Sequence, residues 1–353
     1  MIQTPLLIVG AGPYGLALAN YLSELGTPFT IIGKTMELWR KHTFSSADLR
    51  SDADSSTIPH PENKYTFQNY FASIGEFGKS SKGRVAVKEY RRYLDWMEEQ
   101  LPYEVKQNYL SSLTKEGQIY RARLDDGTDI TAAKVIIATG VAHHLFIPEH
   151  LKEDTRVIHS YDAEKIEALR DKKLLIIGAG QSAAEAIEIC ERNGNQIDWY
   201  SRKKPKYYSE PLNLPKWMFD LVVRSAGLFK KLPSFLVKYL FAIFSASTMT
   251  PEYSKKLRHI KHVQQLPDLE PYDHIISATG YQYGMREMTF LSDPLKESLK
   301  IKGNMPAVDE NFMSSQQGLY FTGPCTEQFF GPPVKFMIGS HYVAPKLSQH
   351  LSV

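Results

Sequence analysis

Residues 6–15 read LLIVGAGPYG, and residues 174–183 read LLIIGAGQSA. Each is a short apolar run, suited to a buried parallel strand, that enters a glycine turn. After the first turn, Leu16, Ala19, Leu22 and Leu25 share one face of a helix predicted over 13–25. Gly26 fits its exit, and PFTII at 28–32 reads as the next strand. After the second, a helix is predicted over 181–192, with Gly194 as its exit and QIDWYS at 196–201 as the following strand. Each is a βαβ unit of about 30 residues.

The glycine spacing gives the turns a chemical meaning. In GAGPYG, Gly10 permits a tight turn and Gly12 leaves room for the backbone to approach a pyrophosphate. Gly15 lets helix and strand pack closely, and the helix N-terminus attracts the phosphates. Gly10, Gly12, Pro13, Tyr14 and Gly15 are therefore candidate cofactor-binding residues. In GAGQSA the same roles fall to Gly178, Gly180, Gln181, Ser182 and Ala183, alanine being tolerated at the third position. A plain structural turn is the alternative for each. The repeat continues: VIIATG at 135–140 and IISATGY at 275–281 each end a late strand, making Thr139, Gly140, Thr279 and Gly280 further candidates.

The residue after the second strand of each unit tests which nucleotide binds, because an acid there would hold a ribose 2′-hydroxyl. After QIDWYS come Arg202, Lys203 and Lys204. A basic cluster suits a 2′-phosphate, which favours NADPH over NADH; a solvated charge run is the alternative. In the first unit the same place holds Gly33 and then Lys34, so ribose recognition falls to Lys34, Glu37 or the backbone.

Between the units, residues 41–83 lack periodicity and read as a long, partly irregular segment. A helix is predicted over 88–100, then strands with a hairpin turn at Asp126-Gly127. GLYFTG at 318–323 reads as one more strand, and 331–350 as a helix. The fold class is α/β: two Rossmann-like dinucleotide-binding domains, the second inserted in the first. The first is expected over 1–148 and 272–353 and the second over 149–271. Residues 205–250 form an extra apolar, mostly helical insertion in the second.

Composition narrows the function. With 42% hydrophobic and 23% charged residues, the 353-residue chain reads as globular. A net charge of +3 is no footprint for nucleic acid. The two cysteines, Cys190 and Cys325, form no CxxC, so neither a local metal site nor a dithiol pair is signalled, and a cytoplasmic setting is expected. The N-terminus leaves no room for a secretory signal before the first strand, and no transmembrane segment is expected.

The paired glycine turns and ATG strand ends resemble those of flavoproteins with two dinucleotide-binding domains. More narrowly, the chain resembles the class B flavin-dependent monooxygenases: the N-hydroxylating, flavin-containing and Baeyer–Villiger enzymes. Four stretches carry the narrower likeness. GKTMELWRKH at 33–42 places Trp39 and Arg40 where these enzymes keep a tryptophan turn beside the flavin. LRSDADS at 49–55 sits where related Baeyer–Villiger enzymes keep an acid near the flavin, Asp52 being the better match and Asp54 the next. RVIHSYD at 156–162 is similar to the HS-aromatic linker, through His159, Ser160 and Tyr161. GLYFTGP with FFGPPVKF is similar to the end of the FAD domain, with Gly323, Pro324 and Gly331 at the cofactor.

The resemblance implies FAD at the first turn and NADPH at the second. It also implies an NADPH- and O2-dependent oxygenation of a small organic substrate through a C4a-(hydro)peroxyflavin, with Asp52 as a catalytic residue. Departures are that Glu153 and Thr155 replace the usual Phe and Gly before His159, and that no position matches the active-site arginine of the Baeyer–Villiger enzymes. Alternatives stay open at single residues: His159 as a hinge residue bonded to backbone, Asp52 as a cap or turn residue, Trp39 as core. The apolar stretches in 205–250 favour an apolar or amphipathic substrate if they form a lid. A core insertion, a homodimer surface and a membrane-surface contact are the other readings. The rival function is an NADPH-dependent flavoprotein reductase for ferredoxin, a quinone or another acceptor.

Overall fold

The two glycine turns sit at the strand ends of two separate sheets, the first mixed and the second all parallel. A computed structural model describes residues 1–77, 79, 83–142, 144–207, 226, 233 and 249–352. Most of the expected 205–250 insertion therefore lies outside the described residues.

The strands are β1 (Ile2–Val9), β2 (Thr30–Ile32), β3 (Asp48–Asp52), β4 (Arg84–Ala86), β5 (Val105–Lys106), β6 (Leu110–Glu116), β7 (Ile119–Leu124) and β8 (Asp129–Ile137). They continue with β9 (Val157–His159), β10 (Lys173–Ile177), β11 (Gln196–Tyr200), β12 (His262–Val263), β13 (His274–Ser277), β14 (Ile301–Lys302), β15 (Met305–Pro306) and β16 (Leu319–Phe321).

The first sheet runs β5-β2-β1-β8-β7-β6, with β16 also paired to β8. Leu6–Val9 of β1 are buried without alternation, as a strand covered on both faces requires. The chain leaves β1 for β2 on one side and later fills β8 on the other, and such a switch in direction opens a crevice beyond the strand ends. The register aligns Val9 with Ile32 and with Ile137, and Ile137 with Phe321. Gly10, Gly33, the turn at 138–140 and Thr322-Gly323 consequently meet at one edge. The hairpin joining β7 to β8 turns at Asp126-Gly127 as expected, with Gly127 N–H on the Leu124 carbonyl at 3.1 Å.

The second sheet runs β12-β11-β10-β13-β9, all parallel. Ile177 aligns with Tyr200 and Ser277, and Ser277 with His159, so Gly178, Ser201, Ala278 and Ser160 form the matching edge. One expected boundary needs correcting here. Strand β13 falls in the range 272–353 assigned to the first domain, yet it hydrogen-bonds to β10 and β9 of the second sheet. IISATG thus closes the second unit.

The helices follow their glycine turns. Helix Pro13–Glu24 starts at Gly12 with proline at its first position, where the missing N–H costs nothing. It packs on the C-terminal helix Ser340–Leu351. Helix Gln181–Arg192 buries Ala183, Ala184, Ala186, Ile187, Ile189 and Cys190, and Gly194 follows with φ +80°. The stretch 41–83 is more ordered than its composition suggests: it holds β3 and a helix at Phe67–Ser73, whose Thr66 hydroxyl accepts the Asn69 N–H at 3.1 Å. Residues 331–350 hold two 3-10 turns, Pro332–Lys335 and Met337–Gly339, before the last helix.

Candidate active site

The first crevice is built by close backbone approach. A Cβ at Gly10 would lie 2.4 Å from the Ala138 carbonyl oxygen, and one at Gly15 only 1.8 Å from the carbonyl oxygen of Gly10. A Cβ at Gly12 would meet nothing within 4 Å. Two glycines are thus forced by the protein itself, and the third faces open space. That is the division of labour a pyrophosphate cradle at a helix N-terminus requires.

Pro13 starts the helix. Tyr14 turns away from the open side: its buried hydroxyl donates to the carbonyls of Val334 at 2.7 Å and Phe336 at 2.9 Å, and burial pushes its pKa well up. Its ring lies against Gly323, and its hydroxyl approaches Gly339. It therefore clamps the segment after Gly331 to the glycine turn. Thr139 and Gly140 follow β8, and Gly323 and Pro324 follow β16, so the structure brings these four to the edge shared with Gly10.

The absence of an acid after β2 has a steric cause. A Cβ at Gly33 would lie 2.7 Å from the Ala11 nitrogen, and the next residues wrap the turn, with the Met36 N–H on the Ala11 carbonyl at 2.9 Å. Lys34 lies over the Tyr109 ring at 5.7 Å, and the Tyr109 hydroxyl donates to Glu37. Trp39 is packed against the core, edge-on to Tyr90 at 6.1 Å. The Arg40 guanidinium pairs with Asp95 and with Glu98 at 2.8 Å. Asp52 ends β3, and its carboxylate accepts the Ser55 N–H at 2.7 Å, the geometry of a turn cap. These contacts match the packing and capping alternatives for Trp39 and Asp52.

In the second crevice Gly178 repeats Gly10: a Cβ there would lie 2.3 Å from the Ala278 carbonyl oxygen. Gly180 caps the helix that Gln181, Ser182 and Ala183 begin. The Gln181 side chain accepts the Thr250 N–H at 3.0 Å and donates to Glu185 at 3.0 Å. Desolvation raises the Glu185 carboxyl to about 7, against the pull of Gln181 and Arg50. Arg202 and Lys203 are exposed just past β11, their turn held by the Ser201 hydroxyl on the Lys203 carbonyl at 2.7 Å.

The two ATG exits pair with each other. After Gly140, the chain at 144–146 runs antiparallel to 280–282: the Phe146 N–H reaches the Gly280 carbonyl at 3.0 Å, and the Gln282 N–H the His144 carbonyl at 2.8 Å. Thr279 bonds the Phe146 carbonyl through its hydroxyl. His159 completes the joint. Its Nδ1 accepts the Tyr161 N–H at 3.1 Å, so Nε2 carries the proton and donates to the Gly280 carbonyl at 3.1 Å. Burial lowers its pKa, which fits the neutral ring. This is the hinge arrangement. His42 stacks on Tyr161 at 3.6 Å and ties the 33–42 segment to the same joint.

Sequence reasoning missed Arg84, Glu185 and the segment Met249–Glu252. Glu185 stands one helical turn after Gln181, a spacing that signals contact; the other two depend on partners far away in the chain. Among the described residues, the group Glu24, His60 and Glu62 has ligand-like spacing, but Lys64 bridges its two carboxylates at 2.9 and 3.0 Å. No described helix is long and apolar enough to cross a membrane.

Known proteins extend this picture. An indole-3-pyruvate monooxygenase of Oryza sativa subsp. japonica is 26% identical over 227 residues, 61% of this chain and 50% of the relative. The chain spans about half the length of the curated relatives it matches. An ornithine N-hydroxylase of Kutzneria sp. 744, solved with reduced FAD, NADP+ and L-ornithine, superimposes with a TM-score of 0.82 at 15% identity, covering 99% of each chain. A cadaverine monooxygenase of Erwinia amylovora bound to FAD gives 0.75 at 19% identity, covering 99% of this chain and 94% of the other. At such identities the solved structures establish the shared fold. The L-lysine 6-monooxygenase/L-ornithine 5-monooxygenase family model matches residues 3–221. That match takes in both glycine turns and more than half of the 353 residues, and the chain belongs to this family.

Proposed function

We propose that the chain is an FAD-dependent, NADPH- and O2-consuming monooxygenase that adds one oxygen atom to a small nucleophilic organic substrate, most directly the nitrogen of a primary amine. The observation that carries this is the joint between the two nucleotide crevices: each fits a dinucleotide, and their ATG exits are hydrogen-bonded into one ribbon. FAD belongs at Gly10–Gly15, with Thr139, Gly140, Gly323 and Pro324 along the same edge. NADPH belongs at Gly178–Ala183, with Arg202 and Lys203 beside its 2′-phosphate. NADPH supplies hydride, and the reduced flavin supplies the electrons that split O2 between product and water.

The chain's own task is to hold the two cofactors in register and keep bulk water away, which the joint of His159, Gly280 and Tyr161 serves. The two units then divide as 1–148 with the residues after Gly280, and 149–280. The family description and the amine substrates named for the Kutzneria and Erwinia proteins favour N-hydroxylation over the other oxygenations. The dithiol branch of the reductase reading fits poorly: Cys190 and Cys325 are both buried, and burial pushes both thiols up to about 12.

The test is to purify the yellow holoenzyme, confirm bleaching by NADPH without oxygen, and incubate it aerobically with L-ornithine, L-lysine, cadaverine and indole-3-pyruvate. A product carrying one added oxygen, formed in proportion to NADPH consumed, is expected from at least one amine. Bleaching by NADPH with every electron pair recovered as hydrogen peroxide, alongside rapid reduction of a quinone or ferredoxin, would instead establish a reductase.

A further inference from the structure

Three contacts converge on the short segment Met249–Glu252. The Met249 N–H donates to the Lys206 carbonyl at 2.9 Å, next to the basic cluster that follows β11. The Thr250 N–H donates to the Gln181 side chain at 3.0 Å, at the glycine turn. The Glu252 carboxylate accepts the Thr250 hydroxyl at 2.7 Å and the Arg84 guanidinium at 2.6 Å. Met249 and Thr250 are buried, whereas the Arg84 and Glu252 side chains are 19% and 39% exposed. The segment thus touches both ends of the second crevice, and among the described residues its anchor of opposite charge is on β4, outside the second sheet.

β4 pairs antiparallel with β3, and Arg84 stands opposite Asp52 in that strand pair. Other charged groups face the same seam: Lys256 and the Tyr253 hydroxyl hold Glu188 at 2.7 and 2.9 Å, Arg50 lies in the fields of both Glu185 and Arg84, and Asp48 adds its negative charge beside Glu185.

We propose that the Arg84–Glu252 ion pair is a positioning element for NADPH, by which the first unit fixes Thr250 and Gln181 and so sets the second unit's affinity for the dinucleotide. It rests on the assignment of NADPH to the second crevice. The pair acts by holding the backbone N–H that orients the Gln181 amide, and through Met249 it holds the chain that leaves the basic cluster. Because the two partners belong to different units, the pair also couples the strand pair carrying Asp52 to occupancy of the second crevice. Such couplings between sites typically amount to about 5–150-fold in affinity.

The experiment titrates NADP+ into the FAD holoenzyme and measures the NADPH dependence of flavin bleaching. It compares the wild type with Arg84→Met, Glu252→Gln, Arg84→Lys and the exchange Arg84→Glu with Glu252→Arg. Each neutralising variant is expected to weaken NADP+ about tenfold, with the loss falling on KM rather than on kcat. Arg84→Lys should keep most of the affinity, and the exchange, which restores the ion pair but not the carboxylate that accepts the Thr250 hydroxyl, should recover part of the loss. Flavin content and melting temperature separate this from general damage. Affinity within about twofold of wild type in both neutralising variants, or an exchange no better than either, overturns the proposal. A wild type that binds no NADP+ would instead sink the cofactor assignment beneath it.

Discussion

Gly12 and Gly15 stand three residues apart in one turn, yet substituting them by alanine should have opposite consequences. At Gly15 the new Cβ would lie 1.8 Å from a backbone oxygen, in a region where contacts below 3.0 Å are essentially never seen. The turn would have to open by more than an ångström, and both partners are backbone, so no side-chain rotation relieves the clash. Overpacking of this kind costs about 3 kcal/mol or more, and Gly15→Ala should give a chain that melts early and holds no flavin. At Gly12 the new Cβ meets no protein atom within 4 Å, and the backbone, φ −85° and ψ −169°, is extended and open to any residue. Relief of unfolded-state entropy should leave the flavin-stripped protein unchanged or about 0.5 kcal/mol more stable.

The methyl group at Gly12 would, however, occupy the approach of the pyrophosphate. A loss of about tenfold or more in flavin affinity, about 1.4 kcal/mol, is expected. Two measurements suffice: flavin retained per chain after gel filtration, and thermal unfolding of the stripped protein. A Gly12→Ala protein that keeps wild-type flavin affinity would refute the placement of the pyrophosphate in this crevice. A Gly15→Ala protein with a wild-type melting curve would refute the packing reasoning.

Other substitutions probe the clamp, the buried acid and the basic cluster. Tyr14→Phe removes the hydroxyl that holds the Val334 carbonyl and leaves the Phe336 carbonyl with the Gly339 N–H alone, and should cost about 1–3 kcal/mol in thermal melts while exposing the 331–336 segment to protease; unchanged cleavage would mean that the clamp is dispensable. Burial raises the Glu185 carboxyl from 4.5 to about 7, so the folded protein holds a proton that the unfolded chain releases. Stability from this group is present at acid pH and is lost as pH rises through 7, by at most about 3 kcal/mol. Glu185→Gln should therefore flatten the decline in denaturant midpoint between acid and alkaline pH, and parallel curves for the two proteins would contradict it. Replacing Arg202 and Lys203 by alanine should weaken NADPH about tenfold or more while sparing NADH, narrowing the preference between them. Equal losses for both dinucleotides would show that the cluster does not read the 2′-phosphate.

Local periodicity made most of the scaffold legible. The apolar runs at 6–9 and 174–177, the helix over Gln181–Arg192 and the hairpin turn at Asp126-Gly127 all rest on residues close in sequence, where strand, helix and turn preferences agree. The helix at Phe67–Ser73 was not legible, because seven aromatic-rich residues are too few to show a period. Its start is written in Thr66 and its capping bond rather than in a pattern. The boundary at 272 cut across what the repeat itself implied: IISATGY ends the second unit as VIIATG ends the first, and β13 does pair with β9 and β10 of the second sheet.

The same division runs through the site. Glycines forced by backbone approach announce themselves, since no other residue survives at Gly10 or Gly15. Side chains whose roles come from distant partners do not, and Tyr14, spanning to Val334, and Arg84, spanning to Glu252, are of that kind. Asp52 lies between the two cases. Its carboxylate caps a local turn, which its Ser/Asp-rich surroundings allowed, and it also sits opposite Arg84 in the strand pair that reaches the second unit. A residue that local chemistry fully accounts for can still lie on the path between the two crevices. The variants at Arg84 and Glu252 test that path without disturbing the cap.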